Sequence, residues 1–475
     1  ITFRKIKGKT KKFKFTFGMG TDIVKRELDI RNHDEYRRQY HMGPVKGGSL
    51  SNLLKDIQIP KMFRAEQSFK KDRIDPEQIP GVVREQLSRP EISSRIQPGM
   101  NIAITAGSRG IANVNVITRA IVDYVKEKGA HPFIVPAMGS HGGAKAESQK
   151  ELLAGYGITE EAMGCPIRSS METVLLGYSE YGKPVYQDKN AHEADGIIVS
   201  CRIKPHNAFR GPYESGVCKM MVVGLGKQKG AESVHSDGLG NMARNLPANA
   251  KVVVENSNIL FAIPCVENAY DETALIEAIP TEKIFEREPE LLKIAFSNMP
   301  SILVKEEDVL VVNEIGKNFS GTGVDPNISG TWSTKFGNGG LQVKRTCFLD
   351  LRDSSHGNAN GMGLADVITK RIFDKLDLDV IYTNCFTSTV LRSGMMPPVV
   401  YDDKEAIQAC IRTANQIDRE HARIVRIKNT LHIGEIMLSE AYYEDVKNGR
   451  YPGVTALDEP QDLEFDEQGA LLTQI

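Results

Sequence analysis

A repeated order of short apolar run, loop and helix, beginning near residue 97, limits what this 475-residue chain can fold into more than any other feature. Asn101-Ile102-Ala103-Ile104-Thr105-Ala106 leads into Gly107-Ser108-Arg109, and a helix is predicted from about Val114 to Lys128. Pro132-Phe133-Ile134-Val135-Pro136-Ala137 leads into Gly139-Ser140-His141-Gly142-Gly143, with a second helix predicted to reach Leu153. Gly196-Ile197-Ile198-Val199-Ser200-Cys201-Arg202-Ile203 leads into Lys204-Pro205-His206. Apolar runs with no alternating polar face, separated by helices, are how a parallel sheet covered on both sides is written. Ligands of such sheets gather outside the carboxyl ends of the strands. Arg109, His141 and His206 therefore fall where one crevice would open. Any one of them alone is explained as a loop residue with a local hydrogen bond; three successive strand ends so furnished point to a site.

The pattern resumes after a segment predicted to be a hinge, at about 285 to 305. Val309-Leu310-Val311-Val312-Asn313-Glu314 leads into Gly316-Lys317-Asn318, and Cys347-Phe348-Leu349-Asp350-Leu351 ends near Arg352, Asp353 and His356. A helix is predicted at about Leu364 to Leu376, and a third strand at Val380-Ile381-Tyr382-Thr383-Asn384. The expected fold is thus α/β: two α/β lobes with mostly parallel sheets covered by helices, and an active site in the interlobe cleft. The division is an N-terminal extension at 1–75, a first lobe at 76–290 and a second at 291–475. Lys317, Asp353 and His356 are candidates to face the cleft. In the extension, Ile6-Lys7 and Lys12-Phe13-Lys14-Phe15-Thr16-Phe17 alternate with period two. That reads as an edge strand guarded by lysines against pairing with other chains, and the polar stretch from 18 to 75 reads as an extension wrapping a neighbouring domain or subunit.

Composition excludes several classes. Sixty basic against sixty-one acidic residues leave a formal charge of −1, which offers no electrostatic footprint for nucleic acid. Seven scattered cysteines without a CxxC pair argue for a reducing compartment and against a cysteine zinc site. No apolar stretch approaches the roughly 20 residues of a spanning helix, and no signal peptide is evident. The expectation is a cytoplasmic protein that binds a small molecule, with neither nucleic acid nor membrane as partner. There is no GxSxG elbow, HExxH or P-loop, which disfavours serine hydrolases, zincins and standard nucleotidases. Gly224, Gly226 and Gly230 invite a dinucleotide reading, but their spacing misses the fingerprint. Ser320 to Asn327 is rich in turn formers and reads as a structural loop rather than a phosphate cradle.

Chemistry concentrates between residues 141 and 235. Lys219 stands in the apolar run Gly216-Val217-Cys218-Lys219-Met220-Met221-Val222-Val223, and His235 follows sixteen residues later. A lysine in such a run is costly unless paired or covalently used, although its long stem can also carry the amine to the surface. His141, His206 and His235 match no local zinc spacing. Two histidines at adjacent strand ends could flank one substrate carbon, as a racemase requires.

Taken in order, Ser108-Arg109, Ala137-Met138-Gly139-Ser140-His141 with Gly155-Tyr156-Gly157-Ile158, Pro205-His206 followed by Lys219, and His235 resemble the nickel-pincer lactate racemase family over roughly residues 80 to 275. The resemblance implies a nickel-pincer nucleotide, of the pyridinium-3-thioamide-5-thiocarboxylic acid mononucleotide type, carried on Lys219, with His235 ligating Ni. It implies acid–base roles for His141 and His206, and substrate-carboxylate binding by Arg109. Cofactor biosynthesis proteins are implied as transient partners. Ala106 stands where lactate racemases carry an aspartate, Arg210 and Glu214 lie in a lengthened interval between His206 and Lys219, and the second lobe shows no clear counterpart of the remaining lactate-binding residues. These departures concern substrate recognition. The expectation is an isomerase, a racemase or epimerase inverting C2 of a larger or sugar 2-hydroxy acid, with Arg210 and Lys317 joining Arg109 as substrate-binding residues. The alternatives are a cofactor-free binding or regulatory protein of the same fold, and a histidine-dependent lyase or dehydratase.

Overall fold

The computed structural model describes residues 43–107 and 110–475. The basic strand expected in residues 1–17 and the side chain of Arg109 lie outside the described residues.

Strand β1 (Met62–Gln67) comes before the first lobe in the chain. That lobe then forms β2 (Asn101–Ala106), β3 (His131–Pro136), the separate hairpin β4 (Thr173–Tyr178) and β5 (Pro184–Asp188), β6 (Gly196–Arg202), β7 (Ile259–Glu267), β8 (Thr273–Ile276) and β9 (Ile279–Pro280). The sheet order is β3-β2-β6-β7-β8, with β9 also on β7; β3, β2, β6 and β7 run parallel, and β8 and β9 are antiparallel. Five of the six residues of both β2 and β3 are buried, as expected of strands covered on two faces. One face packs the helix Val114–Glu127, where Ile117, Ile121 and Val125 recur at the spacing of a single helix stripe. The other face packs the helices Met242–Asn256 and Ile284–Asn298.

The second lobe forms β10 (Glu307–Ile315), β11 (Val343–Leu351), β12 (Val367–Thr369), β13 (Val399–Val400), β14 (Ile424–Ile427), β15 (Glu435–Ser439) and β16 (Val454–Ala456). Its sheet order is β13-β12-β11-β10-β14-β15-β1-β16, parallel from β13 to β14 and antiparallel beyond. β1, from the N-terminal extension, is thus an interior strand of the distant lobe. Its Phe63 is fully buried among Leu310, Val425 and Leu438.

Three local expectations are corrected. The segment predicted as a hinge is mostly the helix Ile284–Asn298, whose Leu291, Leu292 and Ala295 belong to the first-lobe core; the link to the next lobe is residues 299–306. The helix predicted from Leu364 to Leu376 is divided: β12 joins the sheet beside β11, and only Lys370–Lys375 is helical, its start capped by Thr369. The third strand predicted at 380–384 lies within the helix Leu378–Ser388. There the Asp377 carboxylate accepts the Val380 amide at 3.1 Å, and Ile381 and Cys385 bury one helix face. Capping and i,i+4 burial outweigh the β preference of Val380-Ile381-Tyr382-Thr383.

Replacing Phe63 by Ala is expected to cost about 3–5 kcal/mol. Hydrogen exchange checks the placement: protection should fall in β15 and β16 while β2, β3 and β6 keep theirs.

Candidate active site

A cavity of about 600 Å³ opens at the carboxyl ends of β2, β3 and β6 and is bounded on the opposite side by the second lobe. His141, Lys204, His206 and Lys219 reach it from the first lobe, Lys317 and Asp325 from the second. Of the first-lobe strand ends singled out in the sequence, those after β3 and β6 deliver their histidines to one space, and Gly107 at the end of β2 lines it as well.

The turn after β3 is set by glycine. Gly139 has φ +59, and a Cβ there would lie 3.2 Å from the Val223 carbonyl oxygen. Its amide donates to the Gly224 carbonyl at 3.2 Å, so the His141 turn is tied to the segment carrying Lys219. Lys219 ends the helical turn Val217–Lys219, which passes into a π-turn, Met220–Gly224. Insertions of this kind often mark functional sites. The near-miss glycine motif is explained by packing: a Cβ on Gly226 would fall 2.1 Å from the Val222 carbonyl oxygen.

His206 is held on both sides of its backbone. Its amide donates to Glu214 Oε2 at 2.6 Å, and its carbonyl accepts from Arg210 Nη1 at 2.8 Å and Asn327 Nδ2 at 3.3 Å. The ring leans on Phe209, with centroids 4.5 Å apart, and Nδ1 accepts the Ala208 amide at 3.1 Å. The neutral ring consequently carries its proton on Nε2. Burial, together with the nearby Lys219 and His235 charges, holds its pKa well below 6.5. His235, on the helix Lys227–His235, directs Nδ1 to the Ala231 carbonyl at 2.6 Å. With the proton on Nδ1, Nε2 carries the lone pair, the tautomer a metal-ligating histidine needs, although His235 does not itself line the cavity. Burial also lowers its pKa, so the ring is neutral near pH 7.

Other candidates are placed differently. Arg210 does not line the cavity: its guanidinium bonds Asn327 and the Asn338 carbonyl (3.0 Å), and lies 4.5 Å from the Trp332 ring and 5.0 Å from that of Phe296. Glu214, 1% exposed, meets it at 3.3 Å. The pair is a strut between the lobes that fixes His206. Lys317 lines the cavity, and its Nζ donates to the Gly321 carbonyl at 2.8 Å. Asp353 pairs with Lys375 at 2.9 Å, and neither it nor His356 lines the cavity.

The apolar run suggests a costly lysine at 219, but among the described residues the fully buried lysine is Lys227, 3.1 Å from the equally buried Asp188. Lys227 Nζ also donates to the Pro136 carbonyl, which joins the end of β3 to the helix bearing His235. Glu267 was missed too. It lines the cavity, pairs with Arg202 and accepts the Ala112 amide at 2.7 Å. No local signal in the sequence links residues so far apart.

Residues 47–245 match the family described as the lactate racemase N-terminal domain. Among solved structures, the lactate racemase apoprotein from Thermoanaerobacterium thermosaccharolyticum is similar at 16% identity, over 81% of this chain and 90% of that one, with a TM-score of 0.43. A Thermotoga maritima protein solved by a structural genomics consortium is similar at 12% identity, over 59% of this chain and 72% of that one, also with a TM-score of 0.43. No curated protein sequence matches the chain. Over residues 47–245 the chain thus carries a lactate racemase N-terminal domain, which supports a racemase-type function. Among the described residues no helix is long and apolar enough to cross a membrane.

Two outcomes test this geometry. Arg210→Ala leaves Glu214 buried without its cation and is expected to cost about 3 kcal/mol. Adding Glu214→Gln should recover part of that loss, as read by denaturant unfolding. Because the folded-state pKa of His206 lies below 6.5, the unfolded chain binds more protons, and the stability contributed by this neutral ring falls as pH drops below about 6.5. His206→Gln should accordingly show a shallower decline in melting temperature between pH 7 and pH 5.5 than the unaltered protein.

Proposed function

We propose that the protein is a racemase or epimerase that inverts C2 of a 2-hydroxy acid larger than lactate, a sugar acid being one such class, with a nickel-pincer nucleotide tethered to Lys219. The observation that carries this reading is the convergence of Lys219, His141 and His206 on one cavity.

The donor set fits the group. Lys219 would hold it and His235 Nε2 would ligate nickel. Among the described residues no group of three or more His, Cys, Asp and Glu side chains could hold a metal ion, so a metal here needs further ligands from the cofactor itself. When bound, the group supplies reversible hydride exchange with the substrate carbon.

The chain's residues do the rest. One histidine removes the C2 hydroxyl proton as the carbon becomes planar, and the other returns a proton from the opposite side. In the resting tautomer the neutral His206 offers an Nε2–H hydrogen bond to the C2 oxygen, and it returns a proton only after the ring has itself been protonated. To act as base itself, His206 must release the Ala208 amide and carry its proton on Nδ1. Lys204, Lys317, Asp271 and Asp325 line the cavity and supply partners for a carboxylate and additional hydroxyls.

The test is expression together with the cofactor-making enzymes, followed by intact-mass and nickel analysis and a chiral screen of aldonic and other 2-hydroxy acids. Lys219→Ala is expected to abolish the mass adduct. His141→Ala should keep the adduct and lose turnover by about 10²–10⁴-fold. Absence of both adduct and nickel, or loss of water rather than inversion by proton NMR in deuterated buffer, overturns the reading.

A further inference from the structure

Far from the chemistry in sequence, the segment 378–398 of the second lobe leaves large apolar side chains uncovered. On the helix Leu378–Ser388, the exposed Leu378, Tyr382 and Phe386 stand at i, i+4 and i+8, one stripe along the helix. Phe386 is 73% exposed. The turn Leu391–Gly394 packs back on the same helix, since a Cβ on Gly394 would meet Cys385 and Ile381. Around that turn Leu391 is 55% and Met395 62% exposed, with Met396 beside them. Single exposed leucines are ordinary, whereas a cluster of six is not. At these exposures, six side chains of roughly 200 Å² each offer on the order of 600 Å², at the upper end of what monomers leave bare and near the ~800 Å² that each partner contributes to a standard interface.

Composition says what kind of surface this is. Residues 378 to 398 contain only two charged side chains, Asp379 and Arg392, in a chain that is 25% charged. Depletion of charge with enrichment in aromatic residues and methionine is the signature of an interface core. The two charges are opposite in sign and sit at opposite ends of the stripe, one in the first turn of the helix and one just past its end. A two-fold axis across an antiparallel pair of such stripes sets apolar face on apolar face and brings Asp379 opposite Arg392 of the partner subunit, twice.

We propose that this face is the self-association surface of the protein, closed by a second copy of the chain in an antiparallel, two-fold arrangement. The surface also reaches back toward the active site. Ser393 Oγ donates to Asn360 Oδ1 at 2.8 Å, and Asn360 Nδ2 donates to the Gly321 carbonyl at 3.4 Å, the same carbonyl that receives Lys317 Nζ. Pairing of two copies would therefore brace the loop carrying Lys317.

The experiment is sedimentation equilibrium and light scattering on the full chain. The expected result is twice the chain mass at micromolar concentration, reduced to one chain mass by Phe386→Asp with the circular dichroism unchanged. Because Phe386→Asp alters an exposed apolar side chain, charge variants provide a second reading that leaves the stripe intact. Asp379→Arg and Arg392→Asp should each weaken the dimer at least tenfold, and the double exchange Asp379→Arg with Arg392→Asp should restore it. A monomeric full chain, a dimer indifferent to Phe386→Asp, or a double exchange no better than either single reversal overturns the proposal.

Discussion

Parallel strands buried on both faces need helices to cross over them, and those crossovers leave the carboxyl edge of the sheet as the place where loops can present polar groups. The rest of the molecule follows from that constraint. β2, β3 and β6 are apolar almost to their ends, so Gly107, His141 and His206 follow where the apolar runs stop, and they come out on one side. The second lobe, built on the same rule, faces them across the cavity. Its sheet takes β1 from the other end of the chain as an interior strand, so the two lobes are joined both by the 299–306 link and by the segment leading out of β1.

Within that frame, the active-site candidates are held by buried charge and by backbone contacts. Asp188 with Lys227 ties the end of β3 to the helix of His235, and Glu214 with Arg210 grips the backbone of His206 while reaching Asn327 across the lobe boundary. Buried ion pairs of this sort contribute little net stability compared with an apolar substitute, but removing one member leaves an uncompensated charge. Their effect here is positional. Arg210 spends its donors on protein groups, so the lengthened interval between His206 and Lys219 brings the lobes together and does not extend the cavity lining with an arginine.

Much of the first lobe could be read in advance because its signals are local. The apolar runs at 101–106, 132–137 and 196–203 became strands within a residue or two, and the stripe from Ile117 to Val125 became a helix. His141, His206, Lys219 and Lys317 could be picked out because strand ends and one interrupted apolar run mark them, and all four line the same cavity. Reading failed where a cap or a neighbour outweighed propensity. The Val380-Ile381 run became helical under Asp377, and Val367–Thr369 was drawn into the sheet by β11.

By itself, the amino-acid sequence determined the α/β class, the positions of the parallel strands and the residues that follow their ends, because hydrophobic period and chain connectivity act over a few residues. Tertiary structure alone decided that β1 would enter the far sheet, that Lys227 and not Lys219 would be the buried lysine, and that Arg210 would bind protein. Those outcomes depend on which charges and strand edges meet across tens to hundreds of residues, and only the packed chain sets such distances.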